Sequence, residues 1–374
     1  MPTGSFAQRF FHGLLEACFA YQPDSDDPLR FGNATPSGSR RRITRQAIEA
    51  AGRRGYYRKR FDTTSAANAL AAITGQMQEL EAAWELLADE PSRELFVDLL
   101  RLRVLGWKHV SLPVNNPMYW EKYRSLGGFV EQARTLPTEA GWHLNQYRVP
   151  GASGPIRLHA HPLNVLNTFL LEQYAYRSGS VTVRVQPGDV VIDAGGCWGD
   201  TALYFADRAG PAGSVHVFEF VPDNLEVLER NLALNPACSG TIRVAPQALS
   251  ESAGETLAYQ PNGPGTALKD SAADATMNTV ATTSIDDYMS RVGLGRIDFI
   301  KMDIEGFELC ALKGARETLR AYRPRLAIAL YHRLEDFHQI PSYLHSLGLG
   351  YRFYLDHFTI HQEETVLFAV ARDG

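Results

Sequence analysis

The stretch VVIDAGGCWGDTALYFADRAGPAGSVHVFEFVPDNLEVLERN, residues 190–231, restricts the fold more than any other part of this 374-residue chain. Two apolar runs end in carboxylates, Asp193 and Glu219, and Gly195, Gly196 and Gly199 follow the first. Short apolar runs that alternate with amphipathic helical text predict a parallel sheet with helices on both faces. In such a sheet, ligands bind beyond the carboxyl ends of the strands, where the strand order reverses. The glycines permit a tight turn and a close approach of backbone to ligand. Asp200 and Thr201 then open a helix whose amides attract negative charge. Glu219 is spaced to end the neighbouring strand, where a carboxylate can accept both hydroxyls of a ribose. The ligand implied is one that bears a nucleoside.

The same rhythm continues to the end of the chain. Strands are predicted at 190–193, 215–220, 241–245, 297–303, 325–330, 351–354 and 365–369, with helical text between the first five and before the sixth. The last two are joined by LDHFTIHQEE, too short for a helical crossover, and should pair antiparallel. The fold class expected is therefore α/β, a doubly wound sheet of seven strands with an antiparallel last strand. No internal repeat is visible.

The first part of the chain reads differently. A short N-terminal helix is followed by turn-rich text at 21–36, then by an arginine-rich run at 39–60 that reads more readily as solvated surface than as a binding patch. Leu70, Ile73, Met77, Leu80, Trp84 and Leu87 recur at helical spacing, with Ser65 as the expected N-cap. A second helix starts at Pro91 and Ser92, carries Leu95, Phe96, Leu99 and Leu102, and stops at Gly106. Residues 110–162 break into short apolar pieces, and 163–174 look helical. The division expected is a mainly helical cap or assembly region, 1–150, and a ligand-binding catalytic domain, 151–374.

Composition narrows the class of protein. Hydrophobic residues make up 45% and charged residues 21%, the balance of a globular protein. No apolar run approaches the roughly 20 residues of a membrane-spanning helix. Neither a signal peptide nor an anchor is expected, and no membrane partner. Cys18, Cys197, Cys238 and Cys310 are far apart and form no CxxC or Cys/His ligand pair, which suits a cytoplasmic setting and suggests neither a disulfide framework nor a structural zinc site. A net charge of −5 disfavours a dedicated nucleic-acid binder.

The glycine turn separates two nucleoside-bearing cofactors. Dinucleotide binding requires GxGxxG after the strand. Here GGCWG puts Cys197 at the second glycine, the final glycine is missing, and the bulk of Trp198 argues against a pyrophosphate crossing. The segments DAGGCWGDTALYFA, VHVFEFVPDNLEVLERNLALNP, TTSIDDY and IDFIKMDIEGFELCALKGARETL resemble the successive motifs of the FkbM-type methyltransferases, S-adenosylmethionine-dependent enzymes with the Rossmann-like class I fold. The resemblance covers about half the chain, and KMDIEGFELCALKGA is its most specific part. It implies that Asp193, Gly195, Gly196, Gly199, Asp200 and Thr201 serve the methionine end of S-adenosylmethionine. Glu219 would take the ribose hydroxyls, Phe220 would cover the adenine, and Gln247 and Ala248 would flank it.

The reaction implied is attack by an acceptor oxygen on a sulfonium methyl, which needs alignment and a base for the hydroxyl proton. Lys301, Asp303 and Glu305 end the fourth strand; Tyr331, His332, Glu335 and Asp336 end the fifth. His332 is the candidate base, because histidine titrates near neutral pH, with Asp303 and Lys301 beside it. Glu308 is read as packing against or capping the next helix, Asp286 and Asp287 as structural caps, and His159 and His161 as locally satisfied. The metal question stays open: magnesium held by Asp303 with Glu335 or Asp336 is the disfavoured expectation.

The function expected is O-methylation of a small molecule, glycan or natural product. The alternatives are ribose methylation of RNA by way of the arginine run, a nicotinamide oxidoreductase, and a non-catalytic scaffold that keeps the cofactor fold. Assembly of a homo-oligomer would use the N-terminal helices.

Overall fold

The computed structural model describes residues 4–20, 62–269 and 277–371. The turn-rich text and the arginine run read from the sequence lie outside these residues.

Helix α1 (Phe6–Phe19) starts at a capping box in which Ser5 and Gln8 satisfy each other's amides. The single helix expected over Leu70 to Leu87 is two helices, α2 (Thr63–Gly75) and α3 (Met77–Leu86), broken at Gln76. Gly75 supplies the weak point, because glycine loses more backbone freedom in a helix than other residues. The N-cap is Asp62, whose carboxylate accepts from the amides of Thr64 and Ser65, in place of Ser65 itself. Helix α4 (Glu90–Leu105) begins at Asp89, has proline in its first turn and ends at Gly106 with φ +75°, as its sequence requires. Ile73, Leu80, Leu87, Phe96, Leu99 and Leu102 all fall in one core.

Residues 110–162 hold more β-structure than their broken apolar pieces suggest. After α5 (Pro117–Ser125), strands β1 (Val130–Pro137), β2 (His143–Val149) and β3 (Ile156–Ala160) form an antiparallel sheet. The expected division at residue 150 falls in the turn between the paired strands β2 and β3. The helix expected over 163–174 is one α-turn, Pro162–Asn164, that continues as a π-helix, Val165–Leu170. Glu172, at φ +54°, ends it. A two-stranded ribbon, β4 (Tyr176–Ser178) and β5 (Val181–Val183), leads into the main sheet.

The main sheet contains β6 (Val190–Ala194), β7 (Ser214–Phe218), β8 (Ile242–Ala245), β13 (Phe299–Met302), β14 (Arg325–Ala329), β15 (Tyr351–His357) and β16 (Thr365–Ala371), in the order β15-β16-β14-β13-β6-β7-β8. All pairs from β14 to β8 are parallel, and β16 is antiparallel to both its neighbours, as the short final connection demands. The strand order reverses between β6 and β13, which places the ligand crevice there. The text between β8 and β13 corrects the helical expectation. It first forms a second sheet from β9 (Ala248–Leu249), β10 (Thr256–Tyr259), β11 (Leu268–Lys269) and β12 (Asn278–Thr283), and only then a helix, Ile285–Val292. The β-branched and aromatic content of TLAY and NTVATT explains why these pieces pair.

The N-terminal helices are continuous with this architecture. Phe96 packs edge-on to Phe6 and to Phe337, a residue of the helix Asp336–Ser346. Strand β15 is the edge of the sheet, and the segment between α3 and α4 covers it. The amide of Ala88 donates to the Phe353 carbonyl at 2.8 Å, and the amide of Leu355 donates to the Ser92 hydroxyl at 2.9 Å. This closes an edge that would otherwise present unpaired backbone groups. Phe96→Ala should therefore cost about 3–5 kcal/mol, the scale for a buried phenylalanine. A thermal melt should show one shifted transition in which helix and sheet signals are lost together; loss of the helical signal alone would show that the two parts fold separately.

Candidate functional site

A cleft of about 540 Å³ opens at the carboxyl ends of β6, β7, β8 and β13. Its walls include Gly195, Cys197, Glu219, Phe220, Asn224, Gln247, Ala248 and Asp303. The turn after β6 reaches the cleft because two of its residues lack side chains. A Cβ on Gly195, where φ is +82°, would lie 1.9 Å from the Asp303 carbonyl oxygen, and one on Gly196 would lie 2.1 Å from Val217 Cγ1. The amides of Gly195 and Gly196 both donate to the Phe218 carbonyl at 3.0 Å, so the turn is locked onto β7.

Asp193 lies behind this turn and is fully buried. The Thr201 hydroxyl donates to its Oδ2 at 2.7 Å, and Lys301 Nζ lies 3.1 Å from its Oδ1. Lys301 also donates to the carbonyls of Ala194 and Gly195 at 3.0 and 2.6 Å. Burial opposes the charge on Lys301, but Asp193 and Asp303 more than restore it and raise its pKa above the ordinary lysine value. Lys301, a candidate for catalysis from sequence, is thus a 1%-exposed positioning residue that clamps the turn from below. Asp200 is directed inward as well: it accepts from the Thr168 hydroxyl at 2.7 Å and ties the π-helical segment to the site. Burial raises its pKa. Asp193, Asp200 and Thr201 therefore shape the loop from beneath and do not line the cleft. Trp198 also departs from expectation, since it is fully buried beside Trp142 with ring centroids 5.8 Å apart and blocks nothing in the cleft.

Glu219 faces the cleft from the end of β7. Its Oε1 accepts from the amides of Phe220 and Val221 at 2.7 and 2.8 Å, while Oε2 receives one weak contact, from Asn224 Nδ2 at 3.3 Å. Oε2 thus keeps acceptor capacity, and Asn224 Oδ1 is buried with no hydrogen-bond partner. Burial pushes the Glu219 carboxyl up to about 7, against the lowering effect of its backbone amides. Phe220 meets Tyr259 edge-on at 4.9 Å, and Gln247 is held by Arg291 Nη2 at 2.6 Å. The far wall is made by Gly263, Pro264, Thr266 and Leu268, which precede the end of β11, and sequence reading missed it. The Pro/Gly cluster NGPG was the available signal for a loop there.

Asp303 marks the other end of the cleft. Its carboxylate accepts from the Tyr174 hydroxyl at 3.0 Å and from the Tyr331 hydroxyl at 2.9 and 3.1 Å. Both phenols are pushed to high pKa by burial and by the negative charge of Asp303, so they remain donors. Tyr174 was also missed, because nothing in LLEQYAY marks one tyrosine over the other. Arg103, on α4, donates to the Tyr331 carbonyl at 2.7 Å, so an N-terminal helix braces this end of the site.

His332 lies 3.4 Å from Asp303, 3.6 Å from Glu305 and 3.0 Å from Glu308. Burial lowers its pKa, but Glu305 and Glu308 overcome this and lift it to about 11. The expectation of a general base is corrected: these carboxylates favour the imidazolium form of His332 at neutral pH, which does not suit it to take a proton. Glu308 does not cap the helix it opens, whose N-cap is Phe307; it is fully buried and accepts from the amides of Ile304 and Gly306 in the turn before that helix. Glu335 and Asp336 do not join Asp303. Glu335 accepts from Gln76, and Asp336 accepts from the Arg333 amide with its pKa raised by burial to about 7. Asp286 caps the helix Arg316–Tyr322 through Glu317 and Thr318, and the His161 ring accepts from the Leu163 amide.

A glycine turn after the first strand of a seven-stranded sheet, a carboxylate at the end of the second and a cleft at the switch point define the class I methyltransferase fold. Residues 184–353 match the sequence model of the methyltransferase FkbM domain. Methyltransferase sdnD from Sordaria araneosa is 33% identical over 158 residues, which are 34% of this chain and 60% of that protein. This chain thus spans 60% of the length of the curated relative it matches. Among solved structures, Methyltransferase FkbM from Methylobacillus flagellatus KT aligns with a TM-score of 0.51 at 20% identity, covering 80% of this chain and 60% of that chain. No helix among the described residues is long and apolar enough to cross a membrane.

Two predictions follow from this geometry. Lys301→Met leaves Asp193 buried without its counter-charge and should cost about 3–5 kcal/mol in urea unfolding; a cost below 1 kcal/mol would show that the ion pair does not hold the turn. If Glu219 accepts the ribose hydroxyls as a carboxylate, S-adenosylhomocysteine affinity should fall as pH drops through about 7, where its carboxyl takes up a proton. Calorimetric titration of S-adenosylhomocysteine from pH 8.5 to 5.5 checks the sign, and a flat profile would separate Glu219 from the ribose.

Proposed function

We propose that this protein is an O-methyltransferase that acts on a hydroxyl of a small-molecule, glycan or natural-product acceptor. The observation that carries the reading is a single cleft whose walls include both Glu219 and Asp303. One end suits a nucleoside and the other suits a hydroxyl.

The residues fit S-adenosylmethionine. Oε2 of Glu219 and the unpartnered Asn224 Oδ1 are the polar atoms suited to the ribose, Phe220, Gln247 and Ala248 would flank the base, and the Gly195 turn would admit the amino-acid end. When bound, this cofactor supplies an electrophilic methyl group on sulfur and departs as S-adenosylhomocysteine. The chain's own task is then to align the acceptor and hold its proton. Asp303 accepts the hydrogen bond of the acceptor hydroxyl and receives its proton at a carboxylate oxygen, and the Tyr174 and Tyr331 hydroxyls keep that carboxylate aimed at the cleft. Lys301 holds the turn that faces it.

Asp303→Asn should lower turnover by about 10²-fold or more, the scale for loss of a general base, with S-adenosylhomocysteine affinity nearly unchanged. The measurement is methyl-ether formation by mass spectrometry over phenolic, sugar and alcohol acceptors, beside calorimetry with S-adenosylhomocysteine and with NAD as control. Binding of NAD alone would overturn the reading. Methylation of nitrogen or carbon in place of oxygen would limit it to methyl transfer.

A further inference from the structure

We infer that Asp303, Glu305 and His332 form a binding site for a first-row divalent cation of the zinc class, with an open position that faces the acceptor end of the cleft.

One ligand atom from each residue lies within 4.8 Å of the other two. His332 Nε2 is 3.4 Å from Asp303 Oδ1 and 3.6 Å from Glu305 Oε1. Ligands about 2.1 Å from a tetrahedral ion stand about 3.4 Å apart, so these two edges match a zinc-like polyhedron better than the shorter edges of an octahedron. The side chain of His332 is 8% exposed, and its Nε2 has no hydrogen-bond partner of good geometry. Its other nitrogen, Nδ1, faces Glu308 Oε1 at 3.0 Å, and Glu308 is fully buried. A carboxylate behind the far nitrogen is the usual way in which a metal-binding histidine is oriented and made more basic.

The donor set decides the kind of ion. Imidazole suits zinc and its first-row neighbours, whereas magnesium favours carboxylate and water. Three protein ligands leave a fourth position vacant, which is how catalytic zinc sites differ from structural ones. Asp303 and Glu305 both line the cleft, so that vacancy opens toward the acceptor. Cation binding itself is independent of methyl transfer. Only the assignment of the open position to an acceptor oxygen rests on the function proposed above.

The test uses the full chain, stripped with chelator and desalted, then titrated calorimetrically with zinc chloride, manganese chloride and magnesium chloride. Zinc should bind one ion per chain and more tightly than magnesium, and both His332→Ala and Glu305→Gln should weaken it at least about tenfold. S-adenosylhomocysteine binding by each variant reports that it is folded, and Glu305→Gln, with its side chain 29% exposed in the wild type, carries the test if His332→Ala does not fold. Absence of one-to-one zinc binding in the wild type would overturn the site and leave His332 as an ion-paired imidazolium. Zinc affinity equal in wild type and both variants would place the ion elsewhere and overturn it equally. Failure of S-adenosylhomocysteine to bind wild type would count against the methyltransferase reading without touching the cation site.

Discussion

The buried pair of Lys301 and Asp193 is the contact on which the site depends. Two charges removed from water are costly unless their geometry is good and their remaining hydrogen-bonding capacity is satisfied. Here Thr201 satisfies the second oxygen of Asp193, and the carbonyls of Ala194 and Gly195 satisfy Lys301. The pair links β13 to β6 at the point where strand order reverses, so the crevice and the clamp that shapes it have the same origin. With the turn held from below, Gly195 can approach the Asp303 carbonyl closely, and a single cleft has both Glu219 and Asp303 in its walls.

A second layer of charge surrounds this clamp. Asp303 is shared by two tyrosine hydroxyls and approached by His332, and His332 is surrounded by Glu305 and Glu308. Such a concentration of carboxylate in a partly buried site favours cations wherever the chain can place them. That preference explains why His332 is protonated and why it is unsuited to accept a proton. The N-terminal helices stabilise this arrangement from outside, because Arg103 grips the backbone of Tyr331 and Gln76 contacts both Glu335 and His338. They also cover the β15 edge, so the helical region completes the sheet structurally as well as bracing the site.

Period and punctuation made much of this legible. The alternation of apolar runs with amphipathic text placed the seven strands of the main sheet, and the short final connection placed the antiparallel strand. Glu219, Phe220, Gln247, Ala248 and Asp303 could be found because each follows a strand end, and strand ends converge. The second sheet was not legible, because four-residue runs such as TLAY carry too little periodicity to distinguish strand from helix. Neither was the wall of the cleft from Gly263 to Leu268, nor Tyr174, which reaches Asp303 from a distant position in the chain.

What the sequence by itself determined is the set of strands, their direction and the side of the sheet on which a ligand must sit. These are properties of neighbouring residues and of connection length. Tertiary structure alone decided what each polar group does there. Asp193, Lys301 and His332 have the residue types of a binding or catalytic site, yet the first two shape the turn from beneath it and the third carries a proton of its own. Protonation and access depend on burial and on partners far away in sequence, and a linear pattern contains neither.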